Sequence, residues 1–111
     1  MAFDEALAER VRALLAGAKD VAEKRMFGGV AFLVRGNMSV GLHGSELIVR
    51  IDPEETEQAL QQPGVRLFDI TGRPMKGWLL VSAAAIKTKP ALEKWVTRGV
   101  GYARSLPAKK K

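Results

Sequence analysis

Between residues 25 and 50 the chain reads as three short apolar runs separated by Gly-Asn and by Gly-Ser. Two-residue links that begin with glycine favour the primed turns, whose twist matches that of paired antiparallel strands. Alternation places Met38, Val40 and Leu42 on one face and Ser39, Gly41 and His43 on the other. In the next run Leu47, Val49 and Ile51 oppose Glu46, Ile48 and Arg50. This pattern predicts a three-stranded meander, and the other elements are arranged around it.

Before the meander, Asp4 is placed to cap a helix in which Phe3, Leu7, Val11, Leu14 and Leu15 recur at helical spacing, with Gly17 as its stop. Residues 18–24 form a polar connector, and residues 21–25 have the composition of a short edge strand. After the meander, Asp52-Pro53-Glu54-Glu55 is a helix start: Asp52 caps, Pro53 fits the first helical position, and Glu55 sits where a capping-box carboxylate reaches back. That second helix has only Ala59 and Leu60 as an apolar stripe and ends at Pro63-Gly64, so it should lie on the sheet largely exposed. Two more strands are expected, an alternating one over residues 65–70 and a continuous apolar run from Trp78 to Val81. A final helix begins near Pro90, with Leu92, Trp95, Val96, Gly99, Tyr102, Ala103 and Leu106 on one stripe. The order α-β(3)-α-β(2)-α, with helices on one face of an antiparallel sheet, predicts an α+β two-layer sandwich. One domain is expected over residues 1–106, followed by a basic tail over residues 107–111.

Composition narrows the chemistry. A length of 111 residues with an apolar share of 47% suits one ordinary globular core. The chain has no cysteine, which excludes disulfides, thiolate metal sites and thiol catalysis. Its N-terminus lacks the basic-then-apolar pattern of a secretory signal, and no apolar run approaches the length of a membrane span, so a soluble cytoplasmic protein is expected. The formal charge is +6, but it is concentrated late: Lys87, Lys89, Lys94, Arg98, Arg104, Lys109, Lys110 and Lys111 stand against Glu93 alone. The body is therefore near neutral, and a solubilising tail is the plainer reading beside one of nucleic-acid contact.

Three stretches carry a family resemblance. Arg25-Met26-Phe27-Gly28-Gly29 opens the meander, Arg50-Ile51-Asp52 ends it, and Gly72-Arg73-Pro74-Met75-Lys76-Gly77-Trp78 follows in the loop before the last strand. With these motifs in this order, the chain resembles the N-terminal domain family of the TfoX/Sxy competence regulators, from about Asp4 to Arg104. The resemblance implies a fold similar to the type III secretion chaperones, a fold commonly found as dimers. It also implies a bacterial regulatory protein, since full-length members promote expression of DNA-uptake genes together with the cyclic-AMP receptor protein. No enzymatic activity and no cofactor attach to the domain. The chain stops where the family's separate C-terminal helical domain would begin, so it is similar to the stand-alone members and the competence role itself is not carried over.

Several residues invite a chemical role. Met26-Phe27-Gly28-Gly29 is either a displayed recognition loop or a core plug with a turn, the commoner use of apolar residues beside Gly-Gly. The glycines match neither phosphate-binding spacing. Arg25, Arg50, Arg73 and Lys76 would make a site for an anionic ligand if they converged; otherwise they would form ordinary surface pairs with Glu23, Glu46 and Asp69. His43, the one histidine, has no companion that would make it a catalytic base or a metal ligand. Trp78 and Trp95 are expected in the core, or at an interface if exposed. Lys94, Arg98 and Arg104, with Lys109, Lys110 and Lys111, are the candidate nucleic-acid contacts, Lys94 and Arg98 being placed on the side away from Trp95. The leading expectation is a non-enzymatic protein-interaction module in regulation, with a protein partner for which a second copy of the chain is one candidate. Nucleic-acid binding through the last helix and tail comes second, and an anionic small ligand at the Arg25/Arg50/Arg73/Lys76 cluster third. No metal site and no membrane contact are expected.

Overall fold

The computed structural model describes residues 4–26, 29–68 and 76–107. Asp4 caps α1 (Glu5–Leu15), accepting from the backbone N–H of Ala6 at 2.9 Å and of Leu7 at 3.2 Å. Four strands follow: β1 (Val21–Met26), β2 (Gly29–Val34), β3 (Asn37–His43) and β4 (Glu46–Arg50). The expected meander is thus joined on its outer side by the edge strand of the polar connector. A single 3-10 turn (Pro53–Glu55) leads into α2 (Thr56–Leu60), then β5 (Val65–Leu67), β6 (Trp78–Val81), a second 3-10 turn (Ala83–Ile86) and α3 (Lys89–Ser105). The described strands form one antiparallel sheet in the order β1-β2-β3-β4-β6-β5.

The turns follow the expected chemistry, with one shift. The second link is Gly44-Ser45 with Gly44 at φ 61°, but the first uses Arg35 (φ 50°) and Gly36 (φ 87°) rather than Gly36 and Asn37. Arg35 tolerates the left-handed conformation because its surroundings hold it: its N–H donates to Asp20 O at 3.1 Å and its guanidinium to Arg104 O at 3.3 Å.

Helices α1 and α3 cover one face of the sheet. Leu7, Val11, Phe32, Val40, Leu42, Leu47, Val49, Ile51, Leu79, Val81, Leu92, Trp95 and Val100 fill that core. Ala31, Met38, Ile48, Phe68 and Leu80 form a second buried cluster on the other face, with Leu33 and Trp78 packed against it. Met38 therefore does not share a face with Val40 and Leu42. The pairing steps from Phe32↔Val40 to Leu33↔Met38, leaving Ser39 as an extra residue in β3, and such a bulge reverses the side-chain alternation beyond it. The buried Ser39 hydroxyl is satisfied by donating to Phe32 O at 2.8 Å.

The bulge also seats α3. A Cβ on Gly99 would lie 2.6 Å from Ser39 O and 2.7 Å from Val40 Cγ1, so the helix approaches β3 as closely as only glycine allows. At the far end of α3, Arg104 pairs with Asp20 at 2.8 Å, and Asn37 Nδ2 donates to Pro107 O at 2.8 Å. These contacts fasten the chain as it leaves the helix.

Candidate functional site

The end of β4 and the start of β6 are stitched together. Ile51 N–H donates to Gly77 O at 2.7 Å, and Gly77 N–H donates to the buried Thr56 hydroxyl oxygen at 2.8 Å. That hydroxyl in turn donates to Pro53 O at 2.7 Å. Gly77 sits at φ 85°, and a Cβ there would lie 2.8 Å from Ile51 O. Asp52 caps the 3-10 turn by accepting from Glu54 N–H at 2.9 Å, as its position predicts. Glu55 does not reach back as a capping-box carboxylate: it accepts from Arg98 of α3 at 2.9 Å, because the first turn winds as 3-10 and a cation stands opposite.

This stitching puts Trp78 directly across from Arg50 in the ladder. The Arg50 guanidinium lies 5.0 Å from the Trp78 ring centroid and 5.8 Å from that of Tyr102, which α3 brings over the end of β4. Phe68 backs Trp78, with ring centroids 6.5 Å apart. Arg50, Trp78 and Tyr102 are each half-buried. Beside them Ile51, Asp52, Glu55, Thr97, Arg98 and Gly101 line a shallow groove of about 280 Å³. Lys76 is exposed next to Gly77.

Arg50 is held unlike the other arginines around it. Arg12 pairs with Glu23 at 2.7 Å and with Glu9, Arg66 with Glu46 at 2.6 Å, Arg98 with Glu55, and Arg104 with Asp20. Arg10 donates to the carbonyls of Ile86 at 3.0 Å and Lys87 at 3.2 Å. For Arg50, no carboxylate among the described residues lies within ion-pair distance. It lies instead near the Trp78 and Tyr102 rings, with which a guanidinium makes cation–π contacts.

The expected four-cation cluster is only partly assembled. Arg25 is on β1, three strands from β4 and so roughly 14 Å away by strand spacing alone. Arg50 and Lys76 flank the same β4–β6 junction, and Arg73 lies outside the described residues. Glu23 and Glu46 do carry ion pairs, with Arg12 and Arg66, and the Arg25 charge also acts on Glu23. In the other motif, Gly29 is buried against β3, where a Cβ would meet Leu42 O, while Phe27, Gly28 and the Met26 side chain lie outside the description.

The basic residues of α3 have partners within the fold. Lys94 and Arg98 do not point away from Trp95: Lys94 Nζ is 5.1 Å and Arg98 Cζ 5.4 Å from its ring centroid, their stems lying along a tryptophan that is 2% exposed. Lys94 also donates to Gln62 at 2.7 Å. The Arg104 guanidinium holds the Asp20 carboxyl below its ordinary range through a hydrogen bond. Glu23 is lowered in the same way by Arg12. Lys109, Lys110 and Lys111 lie outside the described residues.

Sequence reasoning placed Tyr102 on the buried stripe and gave Thr56 no role. The buried position it missed is Val100, and Tyr102 stays at the rim. No sequence signal joins residues 50, 78 and 102; only the seat of α3 on the bulge does.

Among the described residues no group of three or more His, Cys, Asp or Glu side chains could hold a metal ion, and no helix is long and apolar enough to cross a membrane. Fold and site together define a small α+β module with a cation-aromatic cluster on its rim. The model of the TfoX N-terminal domain family matches residues 13–103, and the chain belongs to that family. Membership supports a TfoX-like regulatory module at the level of the family. No curated protein matches the chain, and no solved structure does.

Proposed function

We propose that the protein is a non-enzymatic protein-interaction module of a bacterial regulatory system, and that its contact face is centred on Arg50, Trp78 and Tyr102. The observation that carries this reading is the Arg50 guanidinium, lying near two half-buried rings and without a carboxylate partner among the described residues. Arginine, tryptophan and tyrosine are the residue types that dominate binding energy at protein interfaces, and they do so when clustered and preorganised. Lys76 and the groove beside Tyr102 extend the face on either side. Arg98 and Arg104, by contrast, are engaged with Glu55 and Asp20, which takes much of the α3 charge out of any nucleic-acid contact.

The test is site-specific photo-crosslinking in the source cells. A benzophenone amino acid in place of exposed Lys76 should give a discrete protein adduct, and the same probe in place of exposed Lys24 on outer strand β1 should not. Equal yields from both positions, or no adduct from position 76, would contradict the proposal.

A further inference from the structure

We infer that the Arg50 site receives a single carboxylate from a protein segment. This inference rests on reading the face as a protein contact, and it names what the partner must present. The guanidinium lies near two aromatic rings and meets no carboxylate within ion-pair distance among the described residues, so its donor fork is left for an anion. That fork matches the two oxygens of a carboxylate, and an anion there makes paired charge-assisted hydrogen bonds.

Charge decides between a lone carboxylate and a polyanion. The groove beside Tyr102 is lined by Asp52 and Glu55 against Arg98, which is already paired with Glu55, so Arg50 supplies one donor fork, enough for one monoanion. Exposed Glu54 and Glu57 lie just beyond. A nucleic-acid backbone, which repeats its charge at every step, would run into these acids. A segment with one carboxylate and a cation a few residues away would instead meet Arg50 with the first and Glu54 or Glu57 with the second. The half-buried Tyr102 and Trp78 rings offer apolar surface to the residue between.

The probe is a capped peptide, Gly-Glu-Leu-Gly-Lys-Gly, titrated into the full ¹⁵N-labelled chain and followed by NMR. The arginine Nε–H of Arg50 and the indole N–H of Trp78 should shift saturably, while the indole N–H of buried Trp95 stays in place. A dissociation constant on the order of 1 mM is expected for so short a ligand. The peptide with Gln for Glu, and the variants Arg50→Gln and Arg50→Lys, should each bind at least about tenfold more weakly, the lysine variant because it keeps the charge but loses the fork. An unchanged thermal midpoint confirms that each variant is folded. No shift at about ten times that concentration, or shifts undiminished in Arg50→Gln, would overturn the inference. So would tighter binding of inorganic phosphate or a short DNA duplex, or a wild-type dimer by sedimentation that Arg50→Gln dissolves, since a second copy would then hold the site. If the crosslink at position 76 depends on Arg50 but the peptide does not bind, the protein contact stands and the carboxylate is ruled out. If the peptide binds and no crosslink forms, the contact reading fails.

Discussion

Arg104 lies in the last turn of α3 and Arg50 at the end of β4, and the sequence offers both as candidates for binding something outside the molecule. Arg104 closes a bidentate pair on Asp20, 84 residues away, with Nε and Nη2 at 2.9 and 2.8 Å, and its own carbonyl accepts from Arg35. Its donors are used to fasten the end of α3. Arg50 has the opposite arrangement: it lies near the Trp78 and Tyr102 rings, and its guanidinium meets no carboxylate among the described residues. An arginine whose donors are spent on a carboxylate belongs to the fold, whereas one set beside aromatic rings without such a partner keeps its recognition chemistry available. The same distinction separates Arg98, paired with Glu55, from Lys76.

The contrast depends on α3 sitting where it does, so the largest effect should come from its seat. Gly99→Ala places a methyl against the Ser39 carbonyl, a backbone atom that cannot swing aside. The cost should be about 2–3 kcal/mol, as for other overpacked contacts. At roughly 4–8 °C per kcal/mol for a domain of this size, a thermal melt should drop by on the order of 10 °C or more. Tyr102, three residues on, should lose its place over Arg50 as well.

Thr56→Val should come next. The swap keeps the volume but leaves the buried Gly77 N–H without its acceptor, at about 1–3 kcal/mol. Chemical denaturation would measure the loss, and weaker Trp78 fluorescence shifts on peptide addition would show that the β4–β6 junction had loosened.

The Asp20–Arg104 pair predicts a pH dependence. The folded carboxyl titrates below its unfolded value, so its contribution is fully present above the unfolded value and fades as pH falls through the folded one. Thermal midpoints followed from pH 5 down to pH 2 should therefore fall more steeply for wild type than for Arg104→Ala. Parallel curves would mean that the pair does not hold the helix end. Glu23 should add its own loss in the same window, in both proteins alike.

Arg50→Ala should have the smallest effect on stability, under about 1 kcal/mol, since cation–π contacts at partly exposed sites are worth no more than that. A denaturation midpoint close to wild type would support this. A large loss would mean that Arg50 is part of the fold's framework, like Arg104.

How far the sequence reveals this arrangement follows from the reach of each interaction. The Asp4 cap, the Gly44-Ser45 turn and the alternation of β4 are local, and they stand as the residue pattern predicts. The bulge at Ser39 is not local: whether β3 keeps step is decided by its pairing with β2 and by the helix pressing on it, so Met38 lands on the unexpected face. Long side chains mislead in a similar way. Helical angle alone puts Lys94 and Arg98 on a face away from Trp95, but their flexible stems fold back along its ring. Of the candidate site, Arg50, Lys76 and Trp78 were visible because their motifs flank one junction. Tyr102 was not, because its place depends on how deeply Gly99 lets α3 sink.

The most direct test of the central claim is the yield of the photo-crosslinked adduct from position 76 in two backgrounds, Arg50→Ala and Arg104→Ala. The account predicts that Arg50→Ala loses the adduct with its thermal midpoint nearly intact, and that Arg104→Ala keeps the adduct with a lowered midpoint. An adduct that survives Arg50→Ala, or that disappears only with Arg104→Ala, would contradict it.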